Sequence, residues 1–396
     1  MKFWPIILVF VMVCIAATSN ANLGIYNRSQ QESADSSLLS ADSLQALASH
    51  PADSSCHLSI VVAGDLMQHE AQIKAALQKD GSYDYSGYFD HVAEELTQAD
   101  VAIANLEVTM GGKPYRGYPC FSAPDEYLSA IKNAGFDLLL TANNHSCDRR
   151  KKGILRTIEM CDSLQIPHVG TYVDSLTRNA QYPFLLEKNG FRIAILEFTY
   201  GTNGIPIPAA TIVNRMDTAQ MSIDIEKAKS QHPDLIIAFP HWGIEYETLP
   251  RKSMVKMAQW LIDKGVDHVI GGHPHVVQPI ELREDSLTNE QHLVAYSLGN
   301  FISDQSSLPK YGGMMLRFEL EKAGPSQKAR IAKCDYMLTF VSRPAWSRKK
   351  NYCVYPVSVS DTLLNNIECK LRDKYVQLAR DLFEKYNIGV KEYVKE

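Results

Sequence analysis

The chain lacks any tract of Lys and Arg dense enough to follow a phosphate backbone: its 396 residues hold 40 basic against 45 acidic groups, a formal net charge of −5. That balance excludes a dedicated nucleic-acid binder. Among its 8 cysteines there is no CxxC pair, so the usual zinc and dithiol redox spacings are absent. No internal repeat is visible. Long apolar runs are scarce too. The one at the N-terminus, Phe3 to Ala17, follows Lys2 and leads into Thr18-Ser19-Asn20-Ala21, with small residues three and one before a cut after Ala21. Residues 1–21 therefore read as a secretory signal peptide. Two other readings stay open: an uncleaved anchor, since a run of about 15 apolar residues spans a bilayer only marginally, and lipidation at Cys14, which lacks the usual small residue before it. The expectation is an exported protein, periplasmic or at the cell surface, tethered to the membrane if the segment is retained.

Removing that segment leaves Cys56, Cys120, Cys147, Cys161, Cys334, Cys353 and Cys369. An odd number leaves at least one thiol unpaired in an oxidising compartment, and most read as buried small hydrophobes. Residues 22–55 are rich in Ser, Ala, Asp and Gln without a sustained apolar period, the pattern of a flexible polar linker. From residue 56 short β-rich runs (57–63, 101–104, 136–141, 192–198, 235–239, 268–270) alternate with helical patterns (127–134, 154–164, 223–230, 254–264). This predicts a layered α/β domain over 56–345. A helical extension over 346–396 follows, its amphipathic stretch running from Leu363 to Tyr386. The basic loop Ser347-Arg348-Lys349-Lys350 reads as a solvated face.

What the sequence does have is 12 histidines, several of them just past the ends of the apolar runs, where α/β sheets place their ligands. Six segments share that position: Gly64-Asp65-Leu66-Met67-Gln68-His69, Asn105-Leu106-Glu107, Ala142-Asn143-Asn144-His145-Ser146-Cys147-Asp148, His241-Trp242-Gly243-Ile244-Glu245-Tyr246, Gly271-Gly272-His273-Pro274-His275 and Ser297-Leu298-Gly299-Asn300-Phe301-Ile302-Ser303-Asp304. Singly, an Asp after Gly is a turn or cap and a lone His a satisfied structural residue. Together they are a ligand set. His273 and His275, two apart on an extended turn, point to one side. With Asp65, Glu107, Asn144 and His241 they offer carboxylate, amide and imidazole donors, which suit one or two divalent ions such as Mn, Zn or Fe. Trp242 reads as packing.

In their order and content these six segments, spread over roughly residues 57 to 305, resemble the CapA family of poly-γ-glutamate capsule biosynthesis proteins, relatives of the calcineurin-like metallophosphoesterases. The resemblance implies an αββα sandwich. It implies that Asp65 and His275 serve a first ion, that Asn144, His241 and His273 serve a second, and that Glu107 bridges them. His145 takes the place of the histidine that stabilises or protonates the leaving oxygen. Two residues depart from the phosphoesterase pattern: Met67 stands where a metal-binding His is usual, unless His69 swings in, and Glu107 is one methylene longer than the usual bridging Asp. His69, Arg116, Tyr118, Glu245, Tyr246, Asn300 and Asp304 are candidates for substrate contact or for support of the ligands; an Arg fork suits a carboxylate or phosphate.

The function expected from this set is metal-dependent hydrolysis of an anionic cell-envelope polymer, poly-γ-glutamate or similar, by attack on a phosphoester or a γ-glutamyl amide. Membrane-bound polymer synthase components are the expected partners. The alternative is a non-catalytic component that binds the polymer during synthesis or export. Generic phosphatase activity fits less well because of Met67 and Glu107.

Overall fold

The computed structural model describes residues 55–286, 290–324 and 327–394. The expected signal segment 1–21 and the linker up to residue 54 lie outside the described residues. In the first sheet β16 (Cys353–Pro356), β15 (Arg330–Ser342), β14 (Gly312–Lys322), β1 (Cys56–Leu66), β2 (Val101–Leu106), β3 (Leu138–Leu140) and β4 (His168–Val169) follow one another, with β13 (Asn300–Ile302) beside β1 and β17 (Lys391–Glu392) beside β15. The second sheet runs β11 (Ile280–Glu284), β12 (Gln291–Ala295), β10 (His268–Ile270), β9 (Leu235–His241), β7 (Phe191–Thr199) and β6 (Phe184–Lys188). A short ribbon pairs β5 (Thr171–Tyr172) with β8 (Ile212–Val213).

Alternation along β1 sorts its side chains to two faces. Leu58, Ile60 and Val62 join Ile193, Ile195 and Ile237 of the second sheet in one core. Val61 and Ala63 face the other way, into a cluster with Leu96 of α2 (Ala93–Gln98) and Leu128 and Ile131 of α3 (Asp125–Asn133). Met221 and Ile225 of α6 (Thr218–Ser230) and Met254 and Leu261 of α7 (Lys252–Asp263) cover the second sheet. The layers are helix, sheet, sheet, helix, as the resemblance implies. The remaining helices are α1 (Glu70–Ala76), α4 (Arg150–Ser163), α5 (Ser175–Gln181), α8 (Pro344–Ser347) and α9 (Asn366–Tyr386). Asp174, Asp217 and Asn365 cap α5, α6 and α9 through backbone N–H groups of the first turn, as short polar side chains do. No described helix is long and apolar enough to cross a membrane.

Beyond residue 345 the chain forms more than a helix: β16 extends the first sheet antiparallel to β15, and β17 pairs parallel with β15. The terminal segment is thus part of the sheet rather than an appendage to it. All seven cysteines among the described residues are free, three of them buried.

The six segments fall at the ends of β1, β2, β3, β9, β10 and β12, which lie in the parallel runs β1–β2–β3–β4 of the first sheet and β7–β9–β10–β12 of the second. Parallel strands end on the same edge, so their following loops converge. At the end of β1 the register slips between Ala63 and Asp65, a bulge that re-aims Asp65. Gly64 makes it possible, because a Cβ there would stand 2.0 Å from the Gly299 carbonyl oxygen. Gly64→Ala is expected to cost ~1–3 kcal/mol through overpacking, read as a lowered urea midpoint at unchanged m-value.

Candidate metal centre

Asp65 leaves β1 buried, with Oδ1 accepting from Asn105 Nδ2 at 2.8 Å and Oδ2 3.1 Å from His275 Nδ1. Glu107 follows β2, its backbone N–H bonded to the Leu66 carbonyl. Its Oε1 stands 3.5 Å from His241 Nε2 and 3.7 Å from His275 Nε2. Asn105 lies two residues earlier, on the same side of the strand. Its Nδ2 also approaches Glu107 Oε2 at 3.2 Å and His241 Nδ1 at 3.3 Å, while its Oδ1 accepts from Asn143 Nδ2. One amide therefore spaces two carboxylates and an imidazole.

The loop after β3 supplies Asn144, whose Oδ1 is 2.6 Å from His241 Nε2, and His145. The backbone N–H of His145 donates to Asn143 Oδ1, and its Nδ1 lies 2.7 Å from Asp148 Oδ2. That contact orients the buried ring, as a carboxylate does for a catalytic imidazole, and leaves Nε2 toward Asn203, 3.5 Å away. Burial lifts the Asp148 carboxyl above its ordinary range against the pull of His145. Phe121 packs its ring edge-on against His145, centroids 4.5 Å apart. The whole loop hangs on Glu197 of β7, whose two oxygens accept the Thr141 and Ala142 N–H groups at 3.1 and 2.7 Å; burial pushes this carboxyl well above the usual range. Glu197→Ala would leave the buried Ala142 N–H without an acceptor, while the Thr141 N–H keeps the Val169 carbonyl at 2.9 Å. A loss of about 1–3 kcal/mol in chemical denaturation is expected.

His273 and His275 differ from the expected extended turn: their φ angles are 99° and 58°, the left-handed region that costs non-glycine residues strain. Tight packing of the preceding backbone sets this path, since a Cβ on Gly271 would meet Trp242 Nε1 at 2.3 Å and the Tyr296 carbonyl at 2.4 Å. The rings nonetheless come within 5.9 Å of each other. Burial pulls His275 down, but Glu107 and Asp65 outweigh it and raise the imidazole to about 9. Burial lowers His273 strongly, with His241 and His275 adding to the effect, so it stands neutral and competent as a ligand. In Asp65 burial is opposed by His275 and Asn105, which hold the carboxyl below its ordinary value.

Two groups of donor atoms, Glu107 with His273 and His275, and Asp65 with Glu107 and His241, each lie within 4.8 Å of one another and are fully buried. Glu107 belongs to both. His275 touches both carboxylates, so it reaches Asp65 as well as closing the first group. Glu107 Oε1 and His273 Nδ1 are buried without a hydrogen-bond partner in the structure. Buried polar atoms left without a partner are costly unless something fills the space between them. A divalent cation fits that requirement and this mixture of carboxylate and imidazole.

The other candidates divide. Met67 is buried among Leu66, Tyr85, Tyr88 and Tyr127, a packing residue. His69 joins neither group: it sits at the start of α1 with its backbone N–H on Gln72 Oε1, and its Nδ1 accepts from the Asp304 N–H at 3.2 Å. Burial takes it down to about 4, so it is neutral. Asn300 Nδ2 donates to the His275 carbonyl and steadies the histidine loop. Asp304 accepts from Tyr352 Oη at 2.7 Å and Arg343 at 3.4 Å. Tyr246, with φ of 70°, lies 6.2 Å from the His275 ring, and Lys310 Nζ stands 3.7 Å over it. Burial and the adjacent Glu245 raise the Tyr246 hydroxyl. Arg116 and Tyr118 are exposed on the loop that ends in Phe121. Trp242 is buried and donates to the Tyr296 carbonyl, as the packing reading has it.

The model of the family described as "Bacterial capsule synthesis protein PGA_cap" matches residues 59–305. The chain belongs to that family. Among its relatives, the capsule biosynthesis protein CapA of Bacillus anthracis is 29% identical over 286 residues, 67% of this chain and 65% of the relative. The PGA biosynthesis protein CapA of Bacillus subtilis is 28% identical over 202 residues, 50% of this chain and 51% of the relative. The PGA_cap chain thus spans less than two thirds of either relative. Among solved structures it is similar to the NAD nucleotidase of Haemophilus influenzae, with a TM-score of 0.43 and 15% identity over 86% of this chain and 58% of that one.

Proposed function

We propose that this PGA_cap protein is an exported, divalent-metal-dependent hydrolase acting on an anionic cell-envelope polymer, poly-γ-glutamate or a similar acidic chain, during capsule or polymer biosynthesis. The observation that carries the proposal is Glu107, a buried carboxylate shared by two ligand groups, with Oε1 free of any hydrogen bond, together with the buried His145 held by Asp148. The named roles of the CapA relatives in capsule and PGA biosynthesis support the substrate class. Asp65, Glu107, Asn144, His241, His273 and His275 would hold Mn, Zn or Fe, one or two ions. A cation there supplies Lewis-acid polarisation of the attacked carbonyl or phosphoryl group. His145, its ring fixed by Asp148 and packed by Phe121, is placed to pass a proton to the leaving atom. Asn105 donates from one amide nitrogen to both carboxylates and so fixes Asp65 Oδ1 and Glu107 Oε2 relative to each other.

One observation favours a second reading, polymer binding without turnover: Met67 fills a ligand position of the related phosphoesterases with packing. Incubating the purified protein with poly-γ-glutamate, with and without chelator, separates the two. Metal-dependent shortening of the chains supports the hydrolase; binding with no shortening under any metal supports the binder.

A further inference from the structure

The loop after β7, Tyr200-Gly201-Thr202-Asn203-Gly204, carries chemistry that the six segments do not account for. Tyr200 ends the strand with its N–H on the His241 carbonyl and lays its ring 4.6 Å from His273. Asn203 takes a left-handed turn, φ 49°, followed by Gly204 at 72°. That turn brings its carboxamide to both metal-side and proton-side residues. Oδ1 accepts from Asn144 Nδ2 at 3.4 Å, and Nδ2 stands 3.5 Å from His145 Nε2. The loop is therefore a wall of the metal centre, and its Tyr200 and Asn203 also line a cleft of about 480 Å³ with Ile205, Ile207 and Arg215, among others.

We infer that this cleft is a subsite for a carboxylate-bearing chain, with Arg215 receiving one carboxylate and Asn203 orienting the adjoining linkage toward His145. The inference rests on the hydrolase-substrate reading above and places the substrate within it. Three observations converge on this chemistry. Arg215 is exposed, its guanidinium donates to the Tyr200 carbonyl at 3.1 Å, and no carboxylate lies within ion-pair distance of it among the described residues. The nearest acid in sequence, Asp217, is occupied in capping α6 through the Ala219 and Gln220 N–H groups. Ile205 and Ile207 pack against the buried cluster of Ala142, Cys147 and Ile154, giving the cleft an aliphatic side. One planar cation, one amide and an aliphatic side match a chain that alternates methylenes with single carboxylates.

The test is fluorescence anisotropy with a labelled γ-linked glutamate decamer on manganese-loaded protein, repeated with a glycerol-phosphate oligomer of equal charge. Arg215→Gln is expected to weaken decamer binding about tenfold, the scale of a lost charge-assisted contact, and to flatten its salt dependence. Bound manganese is expected to stay at the wild-type level. Asn203→Ala is expected to weaken decamer binding severalfold. Arg215→Lys, which keeps the charge and loses the fork, is expected to fall between. If the wild type binds the decamer and all three variants bind it equally well, the subsite is wrong and the polymer reading stands. If the wild type binds manganese but not the decamer, both fall. Preference for the glycerol-phosphate oligomer overturns the carboxylate assignment.

Discussion

Glu107→Gln is expected to strip the protein of tightly bound divalent metal and to lower turnover by on the order of 10³-fold, the scale of several kcal/mol of Lewis-acid stabilisation. The side chain keeps its size, and Asn105 Nδ2 still finds an oxygen where it now meets Oε2 at 3.2 Å. What disappears is the charge that both ligand groups share. Asp65→Asn provides the internal comparison. It empties only the group containing His241 and leaves Glu107, His273 and His275 intact, so it is expected to reduce the metal content by about half in a two-ion centre and to spare it in a one-ion centre built on the histidine pair. Elemental analysis of the two variants beside the wild type reads this directly. Equal metal in Glu107→Gln and wild type would remove Glu107 from the centre.

The second large effect is expected at His145. Replacing it by Ala should lower kcat by about 10²–10⁴-fold, the range for a general acid, with metal content unchanged. The reason is positional: His145 meets Asp148 on one nitrogen and Asn203 on the other, and belongs to neither ligand group. Asp148→Asn keeps the imidazole but exchanges an ionic acceptor for an amide, so a smaller loss is expected together with an alkaline limb of the pH–rate profile displaced to lower pH. A purely structural His145 would instead change thermal stability in proportion to activity and leave the shape of that profile alone.

Much of this arrangement is legible in the sequence because parallel strands put their chemistry in one place. The apolar runs that became β1, β2, β3, β7, β9 and β10 each end where a polar segment begins, and that boundary is set by burial. The long hairpin of β14 and β15 was not anticipated. β14 opens on Gly312-Gly313, which reads as a turn. In the fold both glycines are forced by contact instead, since a Cβ would stand 1.8 Å from the Thr339 carbonyl or 2.5 Å from the Asn300 carbonyl. Asn105, Asp148 and Glu197 were missed for a different reason. Their work is to hold ligands and loops through hydrogen bonds across strands, and such pairings depend on which strands become neighbours. A period-two reading of Asn105 and Glu107, the i,i+3 spacing of His145 and Asp148, and the lone acid in the run Ile195-Leu196-Glu197-Phe198 were the available signals. For Asn203 there was none, because its approach to His145 depends on a left-handed turn in a glycine-rich loop.

Glu107 is the residue on which the proposed divalent-metal centre depends. The most direct measurement is the metal content of the full chain, purified without chelator or affinity metal, by mass spectrometry beside Glu107→Gln. The prediction is one to two equivalents of Mn, Zn or Fe in the wild type, a small fraction of that in the variant, and a rise in the wild type's melting temperature when the metal is restored after chelation. A wild type that carries no transition metal, and whose melting temperature does not respond to added Mn or Zn, would contradict it.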